Sequence, residues 1–202
     1  MIPKNIHFIW FGDTLPENSD NKMNKWRSMG WDIFLWHNNT LSYNDESKVE
    51  INTEITSYLD TFSMPVQKSD VLRLYAVHQF GGVYMDWDFD FVKPIDELLN
   101  CHAFVCREDS KNICNGIFGA VKNSDFMIEQ INALDNVPKD ERTWGVKLMT
   151  DIVMDKPDIP VVIYPQEYFF PYSWDEVNEQ NKQPKVNTFL IHRWAKSWWK
   201  KI

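Results

Sequence analysis

The stretch GGVYMDWDFDF, Gly81 to Phe91, joins a glycine pair, a short apolar run and a series of alternating aspartates. It follows a helical pattern over Pro65 to Phe80, and glycine's tolerance of positive φ makes Gly81-Gly82 the expected stop. Val83-Tyr84-Met85 reads as a buried strand leaving that turn. Asp86, Asp88 and Asp90 then alternate with Trp87, Phe89 and Phe91. In an extended chain, side chains two apart share a face, so the carboxylates are expected to point one way and the aromatics the other. Carboxylates so placed repel one another and are costly to desolvate. A divalent cation that prefers hard oxygen ligands, Mg²⁺, Mn²⁺ or Ca²⁺, resolves both problems. The plain alternative is an edge strand with one wet acidic face. An EF-hand loop also matches Asp86, Asp88, Asp90 and Glu97, but Phe91 stands where its sharp turn requires glycine.

Outward from this stretch, strands alternate with helices. Asn5 to Phe11 is an apolar run closed by Gly12-Asp13, read as a buried first strand. Asp20 to Met29 reads as a helix stopped by Gly30, Trp31 to Trp36 as a strand, and His37-Asn38-Asn39 as a loop. A short helix is expected over Thr53 to Phe62. The longer one over Pro65 to Phe80 has Ser63 as its candidate cap and Pro65 pre-set for its first turn. Pro94 ends the aspartate strand, and Asp96 to Asn100 forms one helical turn. Ala103 to Cys106, Ile113 to Val121, Val161 to Tyr164 and Thr188 to His192 are strand-like. Ser124 to Leu134, capped by Ser124, and Trp144 to Met154 are helix-like. This order predicts an α/β fold in one domain over residues 1–202, a mainly parallel mixed sheet flanked by helices. Ligands of such sheets bind beyond the carboxyl ends of the strands, where Trp10 and Asp86–Asp88 lie.

The chain has 202 residues and a net charge of −8, from 29 acidic and 21 basic residues, which argues against nucleic acid as a partner. An anionic ligand would need a metal or a local basic cluster such as Arg193, Lys196, Lys200 and Lys201. Ten tryptophans exceed what a core of this size requires, so some are expected to line a binding surface. Cys101, Cys106 and Cys114 form no CxxC pair, and with His102 they match no common zinc spacing. An odd cysteine count fits a reducing compartment better than a disulfide framework. No apolar run reaches transmembrane length and the N-terminus shows no signal-peptide pattern. A cytoplasmic protein is expected, with room for peripheral membrane contact.

IPKNIHFIWFG at the start, KSDVLRLYAVHQFGGVYMDWDFDF in the middle and HRWAKSWW at the end together resemble the family 32 glycosyltransferases. These DXD sugar-transferring enzymes include relatives of the clostridial toxin glucosyltransferase domains, initiating mannosyltransferases and capsule-type transferases. The resemblance implies a GT-A fold, with a nucleotide-sugar half over about residues 1–100, an acceptor half over about 101–190 and a closing segment over 191–202. It also implies a divalent metal, Mn²⁺ or Mg²⁺, and transfer with retention of anomeric configuration. By the same resemblance, Trp10 with Ile9 takes the base, Ser69 lies near the ribose, and Asp70 and Arg73 grip sugar hydroxyls beside Tyr84. Asp86 holds the ribose and organises the metal, Asp88 binds it directly, and His192 is the additional metal ligand. Ser197 and Trp198 contact the diphosphate or cap the site, Lys196 offsets phosphate charge, and Asn115 lies near the donor sugar. Thr143-Trp144-Gly145-Val146 stands where family members often carry Thr-Gly-Pro, and the aromatic run Tyr164 to Tyr172 is expected to shape the acceptor cleft.

Each of these residues has a plainer reading. Trp10 could be core, Asp70 and Arg73 a surface ion pair of little consequence, and His192 a satisfied histidine at a strand end. For the whole chain, the expectation is a metal-dependent retaining transferase using a nucleotide sugar, UDP-linked first among donors. The acceptor is a glycan, lipid-linked sugar or protein. The alternative is a non-catalytic relic that binds the nucleotide sugar without turnover. A Mg²⁺ phosphohydrolase is disfavoured, because Asp90-Phe91-Val92 lacks the threonine that such motifs carry next.

Overall fold

The structure is a computed structural model that describes residues 1–38, 40–44, 46–50 (backbone only), 53–139, 144–173, 176 and 184–195. Its main sheet is built from β1 (Asn5–Trp10), β2 (Asp32–His37), β3 (Thr40–Tyr43), β4 (Glu46–Glu50), β5 (Gly82–Met85), β7 (Ala103–Cys106), β8 (Ile117–Ala120) and β9 (Val162–Tyr164). The spatial order is β4-β3-β2-β1-β5-β8-β7-β9, while β6 (Phe89–Phe91) and β10 (Leu190–His192) pair separately. β2, β1 and β5 run parallel at the centre, and β7 runs parallel to β9. The pairs β4–β3, β3–β2, β5–β8 and β8–β7 are antiparallel.

The central strands are apolar on both faces because both faces are covered. Ile9, Tyr84, Val105 and Phe118 pack with α3 (Pro65–Phe80), α4 (Asp125–Asn132) and α5 (Trp144–Asp155). Their chain neighbours Phe8, Val83, Phe104 and Ile117 face the opposite layer, which holds Met23 and Trp26 of α1 (Ser19–Ser28) together with Phe89, Phe169 and Leu190. A short α2 (Thr53–Leu59) leans on α3.

The structure departs from expectation at three places. The loop at His37-Asn38 is the tight turn of a hairpin, with Asn38 at φ 52 and Thr40 paired back onto His37. Thr40–Tyr43 is too polar and short to stand out as a strand. It is held in register by Asn44, whose side chain accepts from Ile33 N at 2.8 Å and donates to Asp32 at 2.9 Å. At α3, Met64 and not Ser63 occupies the cap position, in the extended conformation that Pro65 imposes on the residue before it. The strand expected over Ile113 to Val121 is confined to β8, with Ile113 making one isolated bridge to Arg107.

Two features fix β1 against β5. Gly82 adopts φ 107, and a Cβ there would lie 2.4 Å from the Asn5 carbonyl oxygen, so only glycine lets the strands approach. His7 is fully buried between them. The Trp36 indole N–H can only donate, and it donates to His7 Nδ1 at 3.2 Å. The proton of the neutral ring therefore sits on Nε2, which donates to the Gly81 carbonyl at 2.9 Å. Burial pulls the imidazole from 6.5 down to about 4, against the Gly81 hydrogen bond that raises it. Between these values the unfolded chain binds the proton and the folded chain does not, so stability falls as pH drops below 6.5 and levels off below 4. We expect about 3 kcal/mol to be lost across this window from His7. Urea melts at pH 7 and pH 4.5 check it: His7→Gln should remove part of the pH dependence, and an unchanged slope would contradict the assignment.

Candidate active site

Asp70 and Arg73 sit one turn apart on α3 and are 5% and 4% exposed, which rules out the surface ion pair. Arg73 Nη2 lies 3.0 Å from Asp70 Oδ1, and Nη1 donates to the Asn115 carbonyl at 2.7 Å. Its remaining donors reach the Ser69 carbonyl at 3.2 Å and the Ser69 hydroxyl at 3.3 Å. Asn115 closes the ring by donating from Nδ2 to Asp70 Oδ1 at 2.9 Å. The guanidinium lies over the Tyr84 ring at 4.4 Å, and the Tyr84 hydroxyl donates to Asp86 Oδ1. Ser69, Asp70, Arg73, Tyr84, Asp86 and Asn115 thus form one network. Burial pushes the Asp70 carboxyl up to about 6, opposed by Arg73.

The aspartates do not share the face of one strand. β5 ends at Met85, and Asp86 N still donates to the Gly116 carbonyl at 2.8 Å. The chain then turns through Trp87-Asp88 and restarts as β6, antiparallel to β10. That turn separates the carboxylates. Asp90 leaves the site and accepts from Arg193 Nε at 2.6 Å, whereas Asp86 and Asp88 meet His192.

Asp88 is gripped by the segment after β10. His192 Nε2 lies 3.0 Å from its Oδ1, Ala195 N donates to Oδ2 at 2.8 Å, and Arg193 N donates to the Asp88 carbonyl at 2.9 Å. Trp194, between those two N–H groups, takes φ 52, a conformation rare for a bulky side chain, and its indole is packed edge-on to His192 at 4.3 Å. Burial works against charge on Asp88, but His192 and the Ala195 N–H outweigh it and hold the carboxyl below its ordinary range. His192 is raised in turn, because Asp88 overcomes the cost of burial. Asp86 is pushed up by burial, with Arg73 opposing and Asp88 adding to the rise.

Asp86, Asp88 and His192 each offer a ligand atom, all within 4.8 Å of one another. Two carboxylates and an imidazole suit Mn²⁺ and Mg²⁺-type cations, and a positive charge there would offset the burial, and the nearby Asp88, that raise Asp86. Among the described residues His192 Nδ1 is buried without a partner, so there the ring is not the satisfied histidine of the plain reading. The residues fit a divalent metal.

Trp10 stands half-buried at the carboxyl end of β1, with its indole N–H donating to the Thr14 carbonyl at 2.7 Å, so it is not core. Ile9 is buried, and its carbonyl accepts from Trp87 Nε1 at 2.9 Å. Lys196, Ser197 and Trp198, like Thr143, lie outside the described residues.

Three contributors were not among the candidate site residues, and two of them, Gly116 and Glu108, carried no recognisable sequence signal. Gly116 gives Asp86 its room, since a Cβ there would lie 2.7 Å from Asp86 Oδ2. Glu108, on the loop after β7, bonds the Cys114 thiol and feels both His192 and Asp86; burial pushes its carboxyl up, with His192 opposing. Gly145, in the first turn of α5, abuts the Asp70–Arg73–Asn115 network: a Cβ would lie 2.2 Å from Asn115 Nδ2 and 2.8 Å from Asp70 Oδ2. Gly145→Ala is therefore expected to displace Asn115 and Asp70. It should cost roughly 10²-fold in donor turnover, as misplacement by about 1 Å can, while nucleotide binding persists. Unchanged turnover with an intact fold would show that this contact does not position the network.

Residues 16–105 match the family model described as "Glycosyltransferase sugar-binding region containing DXD motif". The chain thus carries a region similar to the sugar-binding region of DXD glycosyltransferases. It is 29% identical over 143 residues to inositol phosphoceramide mannosyltransferase 1 of Schizosaccharomyces pombe, covering 66% of this chain and 43% of that protein. It is 26% identical over 148 residues to the Homo sapiens alpha-1,4-N-acetylglucosaminyltransferase, covering 62% and 42%. The chain thus spans about two fifths of the length of these relatives. The PaToxG glycosyltransferase structure superposes with a TM-score of 0.52 at 20% identity, covering 77% of this chain and 70% of that one. The fold is GT-A, as the resemblance implied. No helix among the described residues is long and apolar enough to cross a membrane, and the cysteines are free.

Proposed function

We propose that this glycosyltransferase moves a hexose from a nucleoside diphosphate donor, a UDP-sugar first among candidates, to a hydroxyl acceptor, with retention and with a divalent metal. The convergence of Asp86, Asp88 and His192 within 4.8 Å, next to the buried Asp70–Arg73–Asn115 network, is the observation that carries this reading. Similarity to mannosyl- and N-acetylglucosaminyltransferases keeps GDP-linked and amino-sugar donors in play. Glycan, lipid-linked sugar and protein acceptors are all compatible with it. Free cysteines suit a reducing compartment such as the cytoplasm. Residues 1–100 would serve the nucleotide sugar, 101–190 the acceptor, and 191–202 closure.

A bound Mn²⁺ or Mg²⁺ would act as a Lewis acid, stabilising the diphosphate as it gains charge. The chain's own residues do the rest. Asp70 is a carboxylate at neutral pH, fixed by Arg73 and Asn115, so it can accept from sugar hydroxyls in a single orientation. The Arg73 guanidinium adds a fixed positive field beside the reacting centre, where pre-set charge costs no reorganisation. Asp86, tied to Tyr84, links the sugar side to the metal side. Trp10 offers an aromatic face at the strand end for the base. From the resemblance, Lys196, Ser197 and Trp198 complete the diphosphate side and exclude water.

Thermal shift with UDP, GDP and CMP, each with and without Mn²⁺, tests this reading. A ligand that binds only the native state raises its stability by an amount set by concentration over affinity. We expect a Mn²⁺-dependent rise with one nucleotide, followed by donor cleavage with its sugar. Binding without turnover of any sugar would favour the non-catalytic relic instead.

A further inference from the structure

We propose that Lys22 is a positioning residue for the metal-binding aspartates, acting from behind the turn that presents Asp88. The inference rests on the metal-site reading above and concerns a side chain outside the Asp86–Asp88–His192 trio. Lys22 lies in the first turn of α1, where the positive end of the helix disfavours a cation. A residue that breaks the local rule is expected to gain elsewhere. Its ammonium donates to the carbonyl of Trp87 and, at 2.7 Å, to the carbonyl of Phe89. These carbonyls flank Asp88 on either side, so one cation pins both arms of the turn.

The turn needs such a clamp. Its front is held by the segment 192–195 through Asp88 itself, and Trp87 ties it to the Ile9 carbonyl. Behind it, β6 backs on an open cleft of about 540 Å³ between α1 and β10, lined by Lys22, Trp26, Phe89 and Phe91. Packing alone therefore does not set the turn's position. Met23 and Trp26 are buried and anchor α1 to the core, so Lys22 ties the backbone of the turn to the position of that helix. With the ammonium removed, two backbone carbonyls lose their partner and the turn can open into the cleft. Asp86 and Asp88 then no longer converge on His192 as a preset trio.

Mn²⁺ titration followed by electron paramagnetic resonance, with saturating nucleotide, tests the proposal on the wild-type chain, Lys22→Met and Lys22→Arg. Lys22→Met should weaken Mn²⁺ about tenfold, the lower range for residues that orient metal ligands. Lys22→Arg, which keeps donors to both carbonyls, should recover most of that loss. The metal-free melting temperature is read alongside. Weakened melting with unchanged Mn²⁺ affinity would overturn the proposal, leaving Lys22 as a purely structural contact. If Lys22→Met does not fold, Lys22→Gln replaces it, and wild-type Mn²⁺ affinity in that variant overturns the proposal equally. Absence of Mn²⁺ binding in the wild-type chain would instead remove the metal-site reading, and this inference with it.

Discussion

Asp88→Ala is expected to abolish metal-dependent donor cleavage, by roughly 10³-fold or more, because a catalytic metal is worth several kcal/mol and each 1.36 kcal/mol is tenfold. Neither of the adjacent aspartates can take its place. Asp90, two residues on, is turned away and paired with Arg193. Asp86 Oδ1 is already engaged by Tyr84 and lies 3.7 Å from Arg73. The substitution also strands His192 Nε2 and Ala195 N–H, which both bind Asp88 in the folded chain. The segment after β10 should loosen as a result, so Asp88→Asn, which keeps the shape, is the companion variant. It retains an acceptor for Ala195 N–H but loses the charge. If either variant cleaved donor with wild-type dependence on Mn²⁺, the metal site would have to lie elsewhere.

Arg73→Ala is expected to have the largest effect on stability. Taking away one member of a buried ion pair costs about 3–5 kcal/mol, because the remaining charge stays desolvated. Here Arg73 is the cation between Asp70 and Asp86, and it also satisfies the carbonyls of Ser69 and Asn115. For a chain of this size that loss corresponds to a drop of about 10 °C or more in melting temperature. Folded Arg73→Ala should bind bare nucleotide far better than it turns over the sugar if, as proposed, the Asp70–Arg73–Asn115 network serves the sugar. Arg73→Lys should restore part of the stability and little of the turnover: an ammonium cannot reach Asp70, Ser69 and Asn115 at once. Equal losses in nucleotide binding and turnover would remove the sugar-gripping role.

The site was partly legible from the chain alone. Asp70 and Arg73 share a helix face by their spacing, and the GG pair marked where that helix ends. The apolar run after it announced a buried strand whose carboxyl end carries Asp86. His192 became a candidate only through the resemblance, since nothing local distinguishes it from a histidine at a strand end. Gly116 and Glu108 were not legible at all, and Gly145 was visible only as part of the segment that departs from the family's Thr-Gly-Pro. A glycine's importance there depends on which side chain faces it, and Glu108 is one acid among 29.

Alternation misled at the aspartates. A period of two predicts one face only while the chain stays extended, and here it turns at Trp87-Asp88. The local sequence determined which residues are apolar, where helix α3 starts and stops, and that carboxylates follow β5. Those are properties of propensity and period, carried by a few neighbouring residues. Only the tertiary structure decided that Asp90 leaves the site, that His192 enters it from about a hundred residues away and that Lys22 stands behind it. Each of those outcomes rests on pairing between distant segments, β6 with β10 and α1 with the turn. Pairing energy of that kind belongs to both partners, so neither segment encodes it alone.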